Sequence, residues 1–271
     1  MLINSAKLIY FSPTGTTKKI LHKIAEGLEI DYIYDVNLTL PDARNSAIEA
    51  VDEDIAIIGV PVYEEKVPEF LRPCLSGLKG FNKPVVIVSV YGNIGGGISL
   101  NELKAISENC GFWVAAAGSF IGEHSFSTKE VPVAEGRPDL QDMMVTIEFG
   151  RKIKRKLMEL DSLDGISISI PPGRLPLIAR LLPKKSAGIF TKAPSADMSL
   201  CNRCGVCAKV CPVSAIDANT LAIDDNKCLR CFSCVRKCNK KARKIIYRKS
   251  PIVTRFLANK NKVRKEPVLY L

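Results

Sequence analysis

CNRCGVCAKVCPVSAIDANTLAIDDNKCLRCFSCVRKCN, residues 201–239, holds eight of the ten cysteines of this chain in two runs of one spacing. The first is Cys201-x2-Cys204-x2-Cys207-x3-Cys211, followed by Pro212. The second is Cys228-x2-Cys231-x2-Cys234-x3-Cys238, followed by Asn239. Two-residue gaps let successive sulfurs wrap one face of an iron–sulfur cube, and the fourth thiolate then arrives from elsewhere in the fold. Zinc sites use two CxxC pairs or mix in histidine, whereas the two histidines, His22 and His124, lie far upstream. A disulfide framework needs a secretory context. The opening Met1-Leu2-Ile3-Asn4-Ser5 has neither the basic start nor the apolar stretch of a signal peptide. The cysteines therefore read as ligands of two [4Fe–4S] clusters, and the chain as a carrier of electrons.

At 271 residues the chain is too long for the cysteine block alone and suits two domains. Its 46% hydrophobic and 25% charged residues are ordinary for a globular protein. No apolar run is long enough for a membrane-spanning helix, and reduced, metal-bound cysteine points to the cytoplasm. The formal charge of +11 overstates the balance, because two loaded clusters with eight thiolates make the protein about four units less positive. From Lys240 to Lys265 stand eleven Lys or Arg residues and no acid. Such a segment either steers an acidic partner, nucleic acid or anionic lipid, or is a solvated extension that balances the clusters.

Upstream, apolar runs alternate with helical patterns. Strands are expected over 6–12, 31–38, 54–63, 83–93 and 112–122, with helices over 16–28, 68–78, 100–109 and 139–160. The run DIAIIGVPVY at 54–63 is apolar throughout, as a strand covered on both faces should be. Five strands alternating with helices predict an α/β, doubly wound, five-stranded parallel sheet over residues 1–160. Residues 161–196 are rich in proline (Pro171, Pro172, Pro176, Pro183, Pro194) and basic residues. A short helix over 175–182 fits either an interfacial membrane helix or, the reading preferred, a connector packed on one domain. The cysteine unit follows at 197–248 and the basic tail at 249–271. Cys74 and Cys110 fall on expected helices and read as small buried apolar residues.

The loop after the first strand, Ser12-Pro13-Thr14-Gly15-Thr16-Thr17, leads straight into a helix. A helix N-terminus offers unpaired N–H groups and a positive dipole end, hydroxyls add donors, and Gly15 lets the backbone close on an anion. Neither GxxxxGK[ST] nor GxGxxG is present; the glycines at Gly92, Gly95, Gly96 and Gly97 have the wrong spacing and follow the fourth strand. In doubly wound sheets ligands sit beyond the carboxyl ends of the strands, at the switch point. Two further loops reach that edge, Pro61-Val62-Tyr63 and Tyr91-Gly92-Asn93-Ile94-Gly95, each with an aromatic ring.

Three sets of motifs carry a resemblance. The tandem cysteine repeat resembles bacterial two-cluster ferredoxins, small α+β domains whose motif crosses over between clusters. That likeness implies Cys201, Cys204, Cys207 and Cys238 for one cluster and Cys228, Cys231, Cys234 and Cys211 for the other. Asn239 departs from the usual proline after the last cysteine. The loop of Ser12 to Thr17 resembles the phosphate loop of flavodoxins, which implies FMN, with Tyr63 and Tyr91 beside its ring. With Gly59 to Tyr63, Tyr91 to Asn93, Glu123 to Phe126 and Gly136 to Pro138, the whole chain resembles the iron–sulfur flavoproteins of anaerobes, flavodoxin-like domains fused to a two-cluster ferredoxin. His124 reads as a surface or supporting histidine near the flavin.

Two function classes follow from that likeness. One is a relay between low-potential redox proteins, ferredoxin-like or acidic. The other is an oxidoreductase whose FMN reduces a small substrate, or takes electrons from NAD(P)H, with the clusters as relay. No catalytic residue is assigned, no nucleic-acid partner is expected beyond an outlying sensor reading, peripheral membrane contact stays open, and the oligomeric state is not legible. Replacing one ligand tests the cysteine reading: Cys207→Ala should lose about half of the iron, and unchanged iron by colorimetric assay would refute it.

Overall fold

The computed structural model describes residues 2–46, 50–160, 168–175, 186–248, 255, 257–259 and 263–271. Its sheet has the order β2-β1-β3-β4-β5-β6, with β1 Ser5–Tyr10, β2 Tyr32–Asn37, β3 Ile55–Pro61, β4 Pro84–Tyr91, β5 Trp113–Ile121 and β6 Val268–Tyr270. The first five strands pair in parallel. β3 and β4 are buried almost end to end because helices cover both faces. Their side chains alternate between two cores: Ile57, Val86 and Val88 on one face, Ile58, Val85 and Ile87 on the other. β2 is the opposite case, an edge strand exposed along nearly its whole length. The chain passes from β1 to β2 on one side and to β3 on the other, so the switch point lies between the ends of β1 and β3.

A sixth strand is the main departure from the sequence reading. Val268–Tyr270 pairs antiparallel with Ala117–Ser119 of β5, and Leu269 packs against the core that Val86 and Phe120 share. The end of the basic tail is thus part of the sheet, not a solvated extension. Pairing covers the β5 edge, which would otherwise present unpaired backbone groups. Three residues some 150 positions from their partner leave no periodic signal. The helix expected over 68–78 is also divided, into a 3₁₀ turn Glu69–Leu71 and α3 Arg72–Ser76. Pro73 explains this, since it lacks an N–H and is tolerated only in a first turn. A short helix α2, Pro41–Asn45, was not anticipated.

One face carries α1 Thr16–Leu28 and α5 Leu140–Glu159; the other carries α3 and α4 Ser99–Asn109. α1 and α5 cross at two glycines. A Cβ on Gly27 would stand 2.0 Å from the Ile147 carbonyl oxygen, and one on Gly150 would stand 2.3 Å from that of Ile24. This close approach fixes α1, and so the loop that opens it. α5 is closed by a capping box: Asp139 accepts from the Asp142 N–H at 3.0 Å and Asp142 accepts from the Asp139 N–H at 2.9 Å.

The connector packs on the α4 side where it is described. Ile168 enters that core, and Asn101 bonds both the Pro171 carbonyl and the Gly173 N–H. The short helix expected over 175–182 lies, beyond Leu175, outside the described residues. Three short helices follow, α6 Ala187–Phe190 at the end of the connector and, in the cysteine unit, α7 Val206–Lys209 and α8 Ser233–Arg236. Bridges Thr191–Tyr247, Ala196–Arg243 and Ile216–Ile223 tie it together.

The glycine crossing predicts a specific fragility. Gly150→Ala should lower unfolding stability by about 1–3 kcal/mol, the usual range for overpacking. A urea titration matching the wild type would show that the helices can part freely.

Candidate functional site

The two cysteine runs are one structure written twice, 27 positions apart. Cys201 N–H donates to the Asp197 carbonyl and Cys228 N–H to that of Asp224, each at 3.0 Å. Arg203 and Arg230 hold φ of 56° and 54°, Ser214 and Lys241 of 48° and 52°. Ala215 N–H reaches the Cys211 sulfur at 3.2 Å, and Ala242 N–H reaches that of Cys238 at 3.3 Å. Such bonds favour thiolate over thiol.

Cys201, Cys204, Cys207 and Cys238 line one cavity, with Arg243 and Lys240 on its wall. Cys211 belongs with the other run: its charge is felt by Cys228, Cys231 and Cys234, and it packs with Cys234 and Cys228. Cys201, Cys204, Cys207 and Cys238 thus share a cavity, while Cys211 stands with Cys228 and Cys234 in a cluster that Cys207 also touches. Among the described residues, no three His, Cys, Asp or Glu side chains close on a point as a single ion requires. Burial pushes the Cys231 and Cys234 thiols up to about 12 and raises Cys228 as well. On Cys238 burial also acts upward, but N–H groups led by that of Ala242 outweigh it and hold the thiol below its usual range.

Of the basic residues beside the ligand loops, Arg203 and Lys237 are exposed. Arg230 is buried and already committed, pairing with Asp225 at 2.8 Å and donating to the Thr191 and Cys228 carbonyls. Arg243, absent from the sequence reading, is buried and bonds the Pro194 and Leu221 carbonyls.

At the other site, Gly15 is left-handed (φ 90°) and caps α1 without any side-chain hydrogen bond. A Cβ there would meet nothing within 4 Å. Thr14 and Thr16 stand half-buried with their hydroxyls 3.4 Å apart. Ser12 Oγ accepts from the Lys18 N–H at 3.1 Å, and Thr17 is buried with its methyl toward Gly59. Lys18 is drawn away to Asp35. Ser12 thus takes up one first-turn N–H, and the hydroxyls of Thr14 and Thr16 with the N–H groups at the start of α1 form a donor set that fits a phosphate.

The two flanking loops converge on the same edge. Val62 N–H donates to the Val90 carbonyl at 2.8 Å. Tyr63 meets Phe11 edge to face at 6.3 Å, and its phenol is raised far above 10 by burial, with a further push from Cys231. Pro61 ends β3 opposite Val90. Tyr91 is buried under the Lys265 ammonium at 5.7 Å, and Lys265 also donates to the Ile94 carbonyl at 2.9 Å. Asn93, left-handed at φ 59°, donates to the Val263 carbonyl. Glu65 lies against Gly95 and Gly97, and His124 lies against Gly92, where a Cβ would collide with its ring. The tail therefore straps the loop after β4, a contact with no sequence signal.

The second cysteine run docks directly beside the Ser/Thr loop. Ser233 Oγ, buried, donates to the Pro13 carbonyl at 2.8 Å. Phe232, also buried, meets Phe126 at 5.7 Å, Leu229 packs into the α4-side core, and Arg236 pairs with Glu123 at 3.0 Å. Arg44, stacked over Phe11 and Phe70, donates to the Pro212 carbonyl. Of these docking residues, Leu229, Phe232, Ser233, Arg236 and Arg44 were not singled out from sequence, whereas Pro13, Glu123 and Phe126 lie in the motifs quoted there. A signal existed, though: Phe232 stands where the repeat has Gly205.

Residues 193–239 match the family described as a 4Fe-4S dicluster domain. The chain joins a sheet of flavodoxin-like strand order to a segment that matches 4Fe-4S dicluster domains. Among solved structures, an archaeal flavodoxin aligns at 17% identity over 57% of this chain and 99% of its own, with a TM-score of 0.37. Flavodoxin 1 from Bacillus cereus gives 16%, 58%, 99% and 0.42. The rubredoxin oxygen:oxidoreductase of Desulfovibrio gigas gives 17%, 57%, 37% and 0.40. The fold itself rests on strand order and register. No curated protein matches the chain. Among the described residues, no helix is long and apolar enough to cross a membrane.

His124 Nδ1 accepts from the Phe126 N–H at 3.1 Å, and burial, aided by Arg236, lowers its pKa to about 4. Neutral in the fold and titrating near 6.5 when unfolded, it contributes stability that is complete above about pH 6.5 and lost as pH falls toward 4. Between about pH 7.5 and 5.5 the wild type should lose about 1 kcal/mol that His124→Gln keeps. Parallel urea curves for the two proteins at both pH values would contradict this.

Proposed function

We propose that the chain is an iron–sulfur flavoprotein that relays electrons between low-potential redox proteins. In this reading Ser12, Thr14, Gly15, Thr16 and Thr17 hold the phosphate of FMN, and Pro61 to Tyr63 with Tyr91 to Gly95 border its ring. Cys201, Cys204, Cys207 and Cys238 hold one [4Fe–4S] cluster; Cys228, Cys231, Cys234 and Cys211 hold the second. When bound, FMN supplies exchange between single and paired electrons and each cluster supplies single-electron exchange.

The observation that carries the reading is the buried bond from Ser233 to Pro13. Ser233 precedes a proposed cluster ligand, Cys234, and Pro13 lies inside the proposed phosphate loop. One hydrogen bond thus holds the two candidate cofactor sites side by side. The chain's residues do the rest by placement. Leu229, Phe232 and Phe126 exclude water from the seam. N–H groups of Ala215 and Ala242 point at ligand sulfurs, the kind of bond that raises cluster potentials. Arg230, already neutralised by Asp225, holds the second loop together instead of tuning it.

Thr14→Val combined with Thr16→Val should release flavin on purification while iron stays at the wild-type level. Flavin retained at full stoichiometry would remove the phosphate site. Anaerobic titration tests the role: the loaded wild type should take electrons from a reduced ferredoxin and resist NADH and NADPH. Rapid flavin bleaching by a nicotinamide would favour the oxidoreductase reading.

A further inference from the structure

The internal repeat shows which face of the iron–sulfur unit is left for a partner. Each residue that docks the second run on the flavodoxin-like domain has an equivalent 27 positions earlier, and none of the equivalents suits that task. Leu229, packed in the α4-side core, corresponds to exposed Asn202. Phe232, buried against Phe126, corresponds to Gly205, around which a Cβ would find open space. Ser233, bonded to Pro13, corresponds to Val206, and Arg236, paired with Glu123, to exposed Lys209. The two runs share backbone geometry, so the same surface exists twice. One copy is sealed inside the chain; the other faces solvent, with Cys204 exposed at its centre.

Charge distinguishes the open copy. Arg203 and Lys209 lie within the first run, Lys237, Lys240 and Lys241 flank Cys238 in the chain, and all five are exposed. The ion pairs described in this unit join Lys227 to Asp224, Arg230 to Asp225 and Arg236 to Glu123, and involve none of the five. Asp197, the neighbouring acid, turns its carboxylate to the Ser199 N–H and hydroxyl. Across the sealed copy, the flavodoxin-like domain answers with an acid, Glu123, and a carbonyl, Pro13. A partner on the open copy meets more positive charge and so needs more acid.

We propose that an acidic one-electron redox protein docks on this open copy of the loop surface, over Cys201, Cys204, Cys207 and Cys238, while the second run serves only the flavin side within the chain. The proposal rests on the relay reading above. Each productive encounter oxidises the reduced carrier by one electron and reduces the loaded chain by one. Steering between such charged faces raises association rates steeply at low salt. It also moves the docking role away from the end of the basic tail, since Arg264 and Lys265 are engaged with Asp139 and Ile94.

The test pairs Lys209→Glu/Lys237→Glu with a control, Lys129→Glu/Lys152→Glu, exposed on the flavodoxin-like domain. Both are loaded with cofactors, and iron content, flavin content and cluster potentials are measured first. Stopped-flow reduction by an acidic two-cluster ferredoxin is then followed across ionic strength, with calorimetric affinity for the oxidised ferredoxin. Expected is at least a ten-fold slower rate and weaker binding at low salt for the first variant, converging on wild type at high salt, with potentials unchanged and the control unaffected. Equal low-salt rates in all three proteins would overturn the proposal. So would a loss that persists at high salt with a shifted potential, which assigns the lysines to tuning, or duplex DNA binding that the variant alone abolishes. If the wild type itself accepts electrons only from NAD(P)H, the relay reading fails and the docking site falls with it.

Discussion

A hydroxyl buried between two domains must find an acceptor, because a desolvated O–H left unpaired costs about 1–3 kcal/mol. Ser233 has one, the Pro13 carbonyl. Apolar packing of Phe232 on Phe126 is tolerant of small slides, whereas that single bond is not. It therefore sets the register of the cysteine unit on the sheet, and with it the separation between the loop that opens α1 and the second cysteine run. Upstream, the same registration depends on Gly27 and Gly150, whose close contact fixes α1 and so the position of Pro13.

Buried arginine is the second organising device. Arg230 and Arg243 serve carbonyl oxygens inside the cysteine unit, Arg44 bridges from α2 to Pro212, and Arg137 holds Asp142 and the Lys265 carbonyl together. A guanidinium offers five donors in a fixed fork, so one side chain can satisfy several loop carbonyls at once. Four of the 39 basic residues thus act as internal mortar. Among the exposed remainder, four lysines and one arginine lie in or beside the ligand loops of the open run.

The sheet and its helices were legible because burial on one or two faces leaves a period in the sequence: the bounds of α1 match, and β3 and β4 read as unbroken apolar runs. The ferredoxin-type segment was legible through the spacing of its cysteines. Long-range pairings were not. β6 is three residues joined to a distant strand, and Lys265 over Tyr91 is a contact between segments far apart in the chain. Tyr63 and Tyr91 were placed at the correct edge, but nothing local told that Phe11 would meet one and Lys265 cover the other. The docking residues were hidden for a different reason. Leu229 and Phe232 look like ordinary loop residues until they are set against Asn202 and Gly205.

Because the last strand returns to the sheet, the iron–sulfur unit is an insertion between α5 and β6 and not an appendage. Folded, it presents two closely held ends. Were it to unfold for want of metal, the sheet would have to close a flexible loop of roughly one hundred residues, at an entropic cost of about 4 kcal/mol. Three residues of antiparallel pairing are a weak counterweight to that. The β5 edge would then open, and a bare strand edge is a template for other chains. Iron supply and resistance to aggregation are thereby linked in this molecule through the topology of its backbone.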